Sequence, residues 1–277
     1  MSYIWTITRL TFQEAWRRWM VLIALLLGAL FVILYGIGFK LIADDETLRS
    51  VPTQFRLGGY NFITLAGLYV VHFLTIMLSI FASVDAVAGE ITSHTIQTIV
   101  TKPVRRWQVL LGKWLGYAAM LVVYLTLLSS GLLLVTNLIV GYVPPNPVPG
   151  VALILLEALV LLSVSLLGGT RLSTLTNGVA LFMLYGVTFI GTWVEQVGAV
   201  LQADTAVRIG SFAGLLLPVE TLWRRAAYLL QPPLPGFGGV SPFAAFSIPD
   251  PNIVWYAVGY AALALVLALV SFSRRDL

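Results

Sequence analysis

Met20-Val-Leu-Ile-Ala-Leu-Leu-Leu-Gly-Ala-Leu-Phe-Val-Ile-Leu-Tyr-Gly-Ile-Gly-Phe39 holds no charged residue from end to end. A helix rises about 1.5 Å per residue, so this run reaches the roughly 30 Å needed to cross a hydrocarbon core. The same character recurs along the chain. Phe62–Val84 is interrupted only by His72, Val151–Thr170 contains Glu157, and Leu115–Val140, Gly178–Val194 and Ile253–Phe272 complete the set. The fifth run is short and reaches across only by borrowing its flanking residues. The reading is an all-α polytopic membrane protein with six transmembrane helices, at about 20–39, 62–84, 115–140, 151–170, 178–194 and 253–272, forming a single transmembrane domain over 1–277.

Composition agrees. The chain is 59% hydrophobic and 10% charged, with a mean hydropathy of +0.93. Soluble proteins carry about 25% charged residues, so this composition cannot make a fully hydrated surface. Cysteine is absent, which excludes a disulfide framework and Cys-ligated metal centres. His72 and His94 belong to no metal-binding pattern, and no cleavable secretory signal is evident. Gly112-Lys113 lacks the upstream glycine and the following hydroxyl of a phosphate-binding loop. The expectation is a chain with no catalytic residue, no metal and no bound cofactor, so any ATP and Mg would sit on a partner.

Lys and Arg set the orientation. With the N-terminus inside, Arg9, Arg17, Arg18, Lys102, Arg105, Arg106, Lys113, Arg171, Arg274 and Arg275 face the cytoplasm, ten of the 16 basic residues. Lys40, Arg49, Arg56, Arg208, Arg224 and Arg225 face outward, three of them in a long loop that counts little in the positive-inside rule. Both termini are therefore expected in the cytoplasm. The net charge of +4 reflects this bias and does not point to nucleic acid.

The flanking segments divide into helices and connectors. Over 3–19, Trp5, Phe12, Trp16 and Trp19 recur at helical spacing, with Arg9, Gln13 and Arg17 on another face and Glu14 paired to Arg18 at i,i+4. That pattern predicts an interfacial helix with its aromatic side in lipid, against the plainer reading of a cytoplasmic extension of the first span. Lys40–Asn61 reads as a solvated loop, and Tyr142–Gly150 as a stiff proline-rich turn. In the outer segment 198–252, Pro218 breaks an apolar stretch and a proline–glycine run begins near Gln231. One or two short helices over 208–230 are expected there, with a seventh span as the competitor that would place Arg274 and Arg275 outside.

Polar residues inside spans are costly, about 2.5–3.5 kcal/mol for an acid at mid-span. Glu157 is therefore the substrate-path candidate, with structural pairing to a neighbouring helix as the equal alternative. His72 reads as a satisfied packing residue, and Glu195 with Trp193 as an interfacial anchor. Ser163, Ser165, Gly168, Gly169, Ser173 and Thr174 suit close helix packing, and Gly112-x-x-x-Gly116 is compatible with the same use.

One cytoplasmic island carries the functional pattern. Between Asp85 and Lys113 lie Glu90, the polar run Ile91–Val100 with Thr95, and Thr101-Lys-Pro-Val-Arg-Arg-Trp107. Pro103 stops a helix, and a short amphipathic helix followed by basic residues suits a groove on a soluble protein. The competing reading is a solvated loop that only obeys the charge rule. A glutamate after the second span, a threonine a few residues on, then Lys-Pro-x-Arg-Arg and Leu-Gly-Lys leading into the third span resemble the permease subunits of type-2 ABC exporters. The resemblance covers nearly the whole chain and departs from the family at His94, where glycine is usual.

It implies an elbow helix at the N-terminus and a coupling loop at 86–106 that docks on a separate ABC ATPase subunit. Carried over by position, Glu90, Thr95, Lys102, Pro103, Arg105, Arg106 and Lys113 are the ATPase-coupling residues, with Gly112 matching beside them. It further implies a second permease copy or paralogue, membrane lipid as surroundings, an inner (plasma) membrane location, and alternating access with ATP and Mg on the partner. A proton-coupled secondary transporter using Glu157 is the alternative, and an intramembrane enzyme lacks the converging ionisable residues it would need.

Overall fold

The computed structural model describes residues 3–45, 52–92, 105–232 and 248–274, and all regular structure among them is helical. In chain order the helices are α1 (Tyr3–Arg17), α2 (Trp19–Ala43), α3 (Thr53–Thr92), α4 (Arg106–Val140), α5 (Pro147–Gly169), α6 (Thr174–Val200), α7 (Asp204–Leu216), α8 (Val219–Leu230) and α9 (Ile253–Ser273). Six of them, α2 to α6 and α9, are long and apolar enough to cross a membrane.

The helices overrun the hydropathy limits for identifiable reasons. α4 starts at Arg106 rather than near Leu115, because nothing between them breaks a helix and Lys113 is not a boundary. Its side chain is buried and its ammonium donates to the Ala86 carbonyl at 2.9 Å. α6 gains residues at both ends and reaches Thr174–Val200, enough for about 40 Å of helix. The proline-rich turn is shorter than expected. Gly141 closes α4 at φ +69, a left-handed cap that glycine adopts without a Cβ clash, and α5 already begins at Pro147.

The core is built by α3, α4 and α5, with α9 laid along α5 through Ala257, Ala261 and Ala268. α2 is the least enclosed span; Leu26, Leu30, Ile33 and Leu34 stay exposed along it. α1 and α2 are separate helices, divided at Arg18, whose backbone is extended (φ −70, ψ 133). α1 buries Thr8, Thr11 and Ala15 against α4 and leaves Trp5 exposed, as is Trp19 at the start of α2. This contact uses Gly112 and Gly116. A Cβ on Gly112 would lie 2.7 Å from Ile7 Cγ2, and one on Gly116 would lie 2.7 Å from Thr11 Cβ and 3.0 Å from the Thr8 carbonyl oxygen. The weak glycine pair of the sequence is thus a helix-docking face.

α7 returns along α6, and α8 turns away from α7 by 105° at Leu217-Pro218. Pro218 lacks the N–H that would continue α7. Together α7 and α8 are apolar enough for one span, yet the bend divides them. α8 is buried along most of its length against α5.

Candidate functional site

Two constellations gather the chemistry-bearing residues. The first lies where α3 ends and α4 begins, at the two edges of segment 93–104. Thr95, Lys102 and Pro103 fall outside the described residues, as does the side chain of Glu90, whose backbone belongs to α3. Arg105 is exposed just before α4, and its N–H donates to Gln108 Oε1 at 3.2 Å, a reach-back that satisfies a first-turn donor. Arg106 is half-buried in the first turn.

Lys113 is placed differently from its neighbours. Its bond to Ala86 cross-links the end of α3 to the start of α4 and so braces the two edges of the segment. Asp85, one residue earlier, is the second tie. Its Oδ2 lies 3.5 Å from Arg18 Nη1, in the break between α1 and α2, and its Oδ1 accepts from Thr174 Oγ1 at 3.2 Å. Arg18 also holds Glu14 at 2.8 Å, the i,i+4 pair expected from sequence. Thr174 opens α6 directly after Ser173, whose hydroxyl oxygen accepts from the Thr176 N–H as an N-cap. The base of the segment is therefore bonded to the α1–α2 elbow, to α4 and to α6. Sequence reasoning gave Asp85 no role; its position five residues before Glu90 was the available clue.

The second constellation is buried between α3, α5, α6 and α8. His72 and Glu157 are fully enclosed, with His72 Nδ1 2.6 Å from Glu157 Oε2. On the other side of the ring, His72 Nε2 is 3.7 Å from Glu220 Oε1, which accepts a hydrogen bond from the Tyr185 hydroxyl at 2.8 Å. The His72–Glu157 approach is a close contact between two fully buried ionisable groups. Tyr69 stacks on the imidazole with centroids 5.5 Å apart, and Trp223 lies 4.8 Å away. Beside them Arg224 grips Glu195 with two bonds, at 2.7 and 2.9 Å, both groups buried.

Two sequence readings are corrected here. His72 is not a satisfied packing residue; it faces two carboxylates. Glu195 is not an interfacial anchor but half of a bidentate ion pair tying α6 to α8. Glu157 meets a side chain of a neighbouring helix, His72 of α3. Glu220 and Tyr185 were missed, because a short helix in the outer segment gives no hint of which span it meets. The small-residue run does pack closely: Trp114 Nε1 donates to Ser163 Oγ at 3.0 Å, and Asn177 Nδ2 donates to the Ser165 carbonyl at 2.9 Å. Among the described residues no group of three His, Cys, Asp or Glu side chains is arranged to hold a metal ion.

A family model described as ABC-2 family transporter protein matches residues 5–277. The chain belongs to the ABC-2 transporter family. Two curated relatives match part of it. A probable ABC transporter permease protein NosY of Pseudomonas aeruginosa is 32% identical over 123 residues, covering 44% of this chain and 41% of that protein. The Stutzerimonas stutzeri protein of the same name is 31% identical over 124 residues, with the same coverage. The match thus spans about two-fifths of these relatives' length. Membership in the ABC-2 family agrees with the resemblance carried by the island and with the all-helical, six-span fold.

Proposed function

We propose that this chain is the membrane-embedded permease subunit of an ABC transporter, moving its substrate by alternating access while a separate ATPase subunit binds and hydrolyses ATP with Mg. One observation carries the reading: the base of segment 93–104 is bonded to three other elements through Asp85 and Lys113. A partner that pushes on that segment moves the α1–α2 elbow and α6 with it. Glu90, Thr95, Lys102, Pro103, Arg105 and Arg106 form the docking surface in this account, while Lys113 holds its two edges together. Both termini lie in the cytoplasm, α1 rests at the inner membrane surface, and the direction is outward.

The unit works as a pair, with an identical or related second permease facing α2, α3 and α6. An apolar groove of about 540 Å³ runs between these spans, lined by Met20, Ile80, Phe81, Gly178, Phe182 and Met183. Such a lining suits the apolar part of a cargo, and the sparse burial of α2 leaves a face for the partner.

The test is co-purification in detergent with the ATPase subunits of the same genome. The wild-type chain retains an ATPase, and Glu90→Ala with Arg106→Ala releases it without loss of helix content. A folded wild-type chain that binds no ATPase sinks the proposal. The buried His72–Glu157 contact favours one rival, proton-coupled secondary transport through Glu157. Uptake driven by a pH gradient in vesicles lacking any ATPase would establish that rival.

A further inference from the structure

The buried trio poses a problem of charge. His72 and Glu157 have no accessible surface and Glu220 is 3% exposed. Neither nitrogen of His72 and neither oxygen of Glu157 makes a directed hydrogen bond among the described residues. Two carboxylates flank one imidazole, at 2.6 and 3.7 Å. With a single proton, on the imidazole, the site would carry a net negative charge. An uncompensated ion in a dry interior is strongly disfavoured.

Among the described residues the surrounding helices offer no second cation. From α3 comes the ring of Tyr69, from α6 the hydroxyl of Tyr185, and from α8 the indole of Trp223. Arg224, the nearest cation along α8, is held by both oxygens of Glu195. Arg225 is directed elsewhere, over the Tyr228 ring and toward the Pro249 carbonyl. Neutrality therefore requires a second proton.

We propose that His72, Glu157 and Glu220 form a buried proton-binding site that holds two protons among three groups and latches α8 to α3 and α5. The ligand is the proton itself. One carboxyl is kept as the acid, the other pairs with the imidazolium, and the Tyr185 hydroxyl fixes Glu220 in place. Glu220 is the member carried by the bent helix pair; the others sit on spans. Moving α8 away carries Glu220 from the ring into water, where its charge is hydrated and the site no longer has to hold the second proton. Each opening of α8 then releases a proton and each closing takes one up. By linkage, the open fraction rises with pH by up to about tenfold per unit while that exchange is complete. That the released proton goes to the outer side rests on the orientation proposed above; the two-proton occupancy does not.

Infrared spectroscopy of the purified chain at about pH 8 reads the occupancy directly, because water-exposed carboxyls are ionised there. The wild type should display the C=O stretch of one carboxylic acid. The band should vanish in the Glu157→Gln, Glu220→Gln double variant. Absence of the band in wild type overturns the proposal whether or not the variant folds, and so does its survival in the double variant.

The latch is read with a spin label at Tyr228→Cys, an exposed position on α8 in a chain with no native cysteine. In vesicles the mobile fraction should rise with pH in wild type and stay flat in Glu220→Gln. A flat wild-type profile overturns the latch. Sensitivity to pH on the cytoplasmic side alone, with the band present, supports the site and rejects the orientation instead.

Discussion

Removing Arg224 tests whether the outer helices are held by buried charge. Both oxygens of Glu195 are bonded to the guanidinium, at 2.7 and 2.9 Å, and both side chains are nearly inaccessible. Arg224→Met leaves a carboxylate in a dry site, which typically costs about 3–5 kcal/mol. Replacing both partners, with Glu195→Leu and Arg224→Met, removes the orphaned charge and should return stability to within about 1–2 kcal/mol of wild type. The coupling energy of the cycle is then at least about 2 kcal/mol, more than tenfold in the unfolding equilibrium. The assay is denaturing-detergent unfolding in mixed micelles, followed by tryptophan fluorescence, because Trp223 adjoins the pair in sequence. Single variants that each cost less than about 1 kcal/mol and simply add would show the pair to be solvated, as exposed ion pairs are. The reasoning about α6 and α8 would then be refuted.

The other predictions concern single contacts. Gly116→Leu forces side-chain atoms toward the Thr8 carbonyl and should cost about 1–3 kcal/mol by overpacking, measured by thermal unfolding in detergent; Ala119→Leu on the same helix serves as a control for added bulk. Lys113→Met removes the donor to Ala86 and should cost about 1–3 kcal/mol, visible as faster amide exchange at the end of α3; unchanged exchange would contradict the brace. Tyr185→Phe removes the bond to Glu220 and should lower stability by about 0.5–1.5 kcal/mol in the same unfolding assay, with unchanged stability as the contrary result.

The sequence made the spans legible because long uncharged runs have few alternatives, and the break at Pro218 was visible as missing helix chemistry. The starts of helices were less legible. Lys113 looked like the boundary before the run Leu115–Val140, and only its tertiary acceptor on α3 explains how a lysine sits inside the helix. The island displayed its composition but not its connections; Asp85 acquires meaning from Arg18 and Thr174, 67 and 89 positions away along the chain. His72 and Glu157 were both singled out, yet their separation of 85 positions hid the contact. Glu220 was harder still. A short amphipathic helix states which of its faces is buried but not which span receives it, so the third member of the trio emerges only from the packing of α8.

Motion imposed at segment 93–104 is held to move α6 through the ties at Asp85 and Lys113, and with it the helices α7 and α8 packed on α6. The direct measurement is a spin-label distance between Tyr228→Cys on α8 and Leu138→Cys near the end of α4, in the reconstituted complex with its ATPase, with and without ATP. The account predicts that ATP shifts this distance in the wild type, and that Asp85→Ala with Lys113→Met abolishes the shift while ATP is still hydrolysed. A wild-type distance that stays fixed during hydrolysis, or a shift that persists in the double variant, would contradict it.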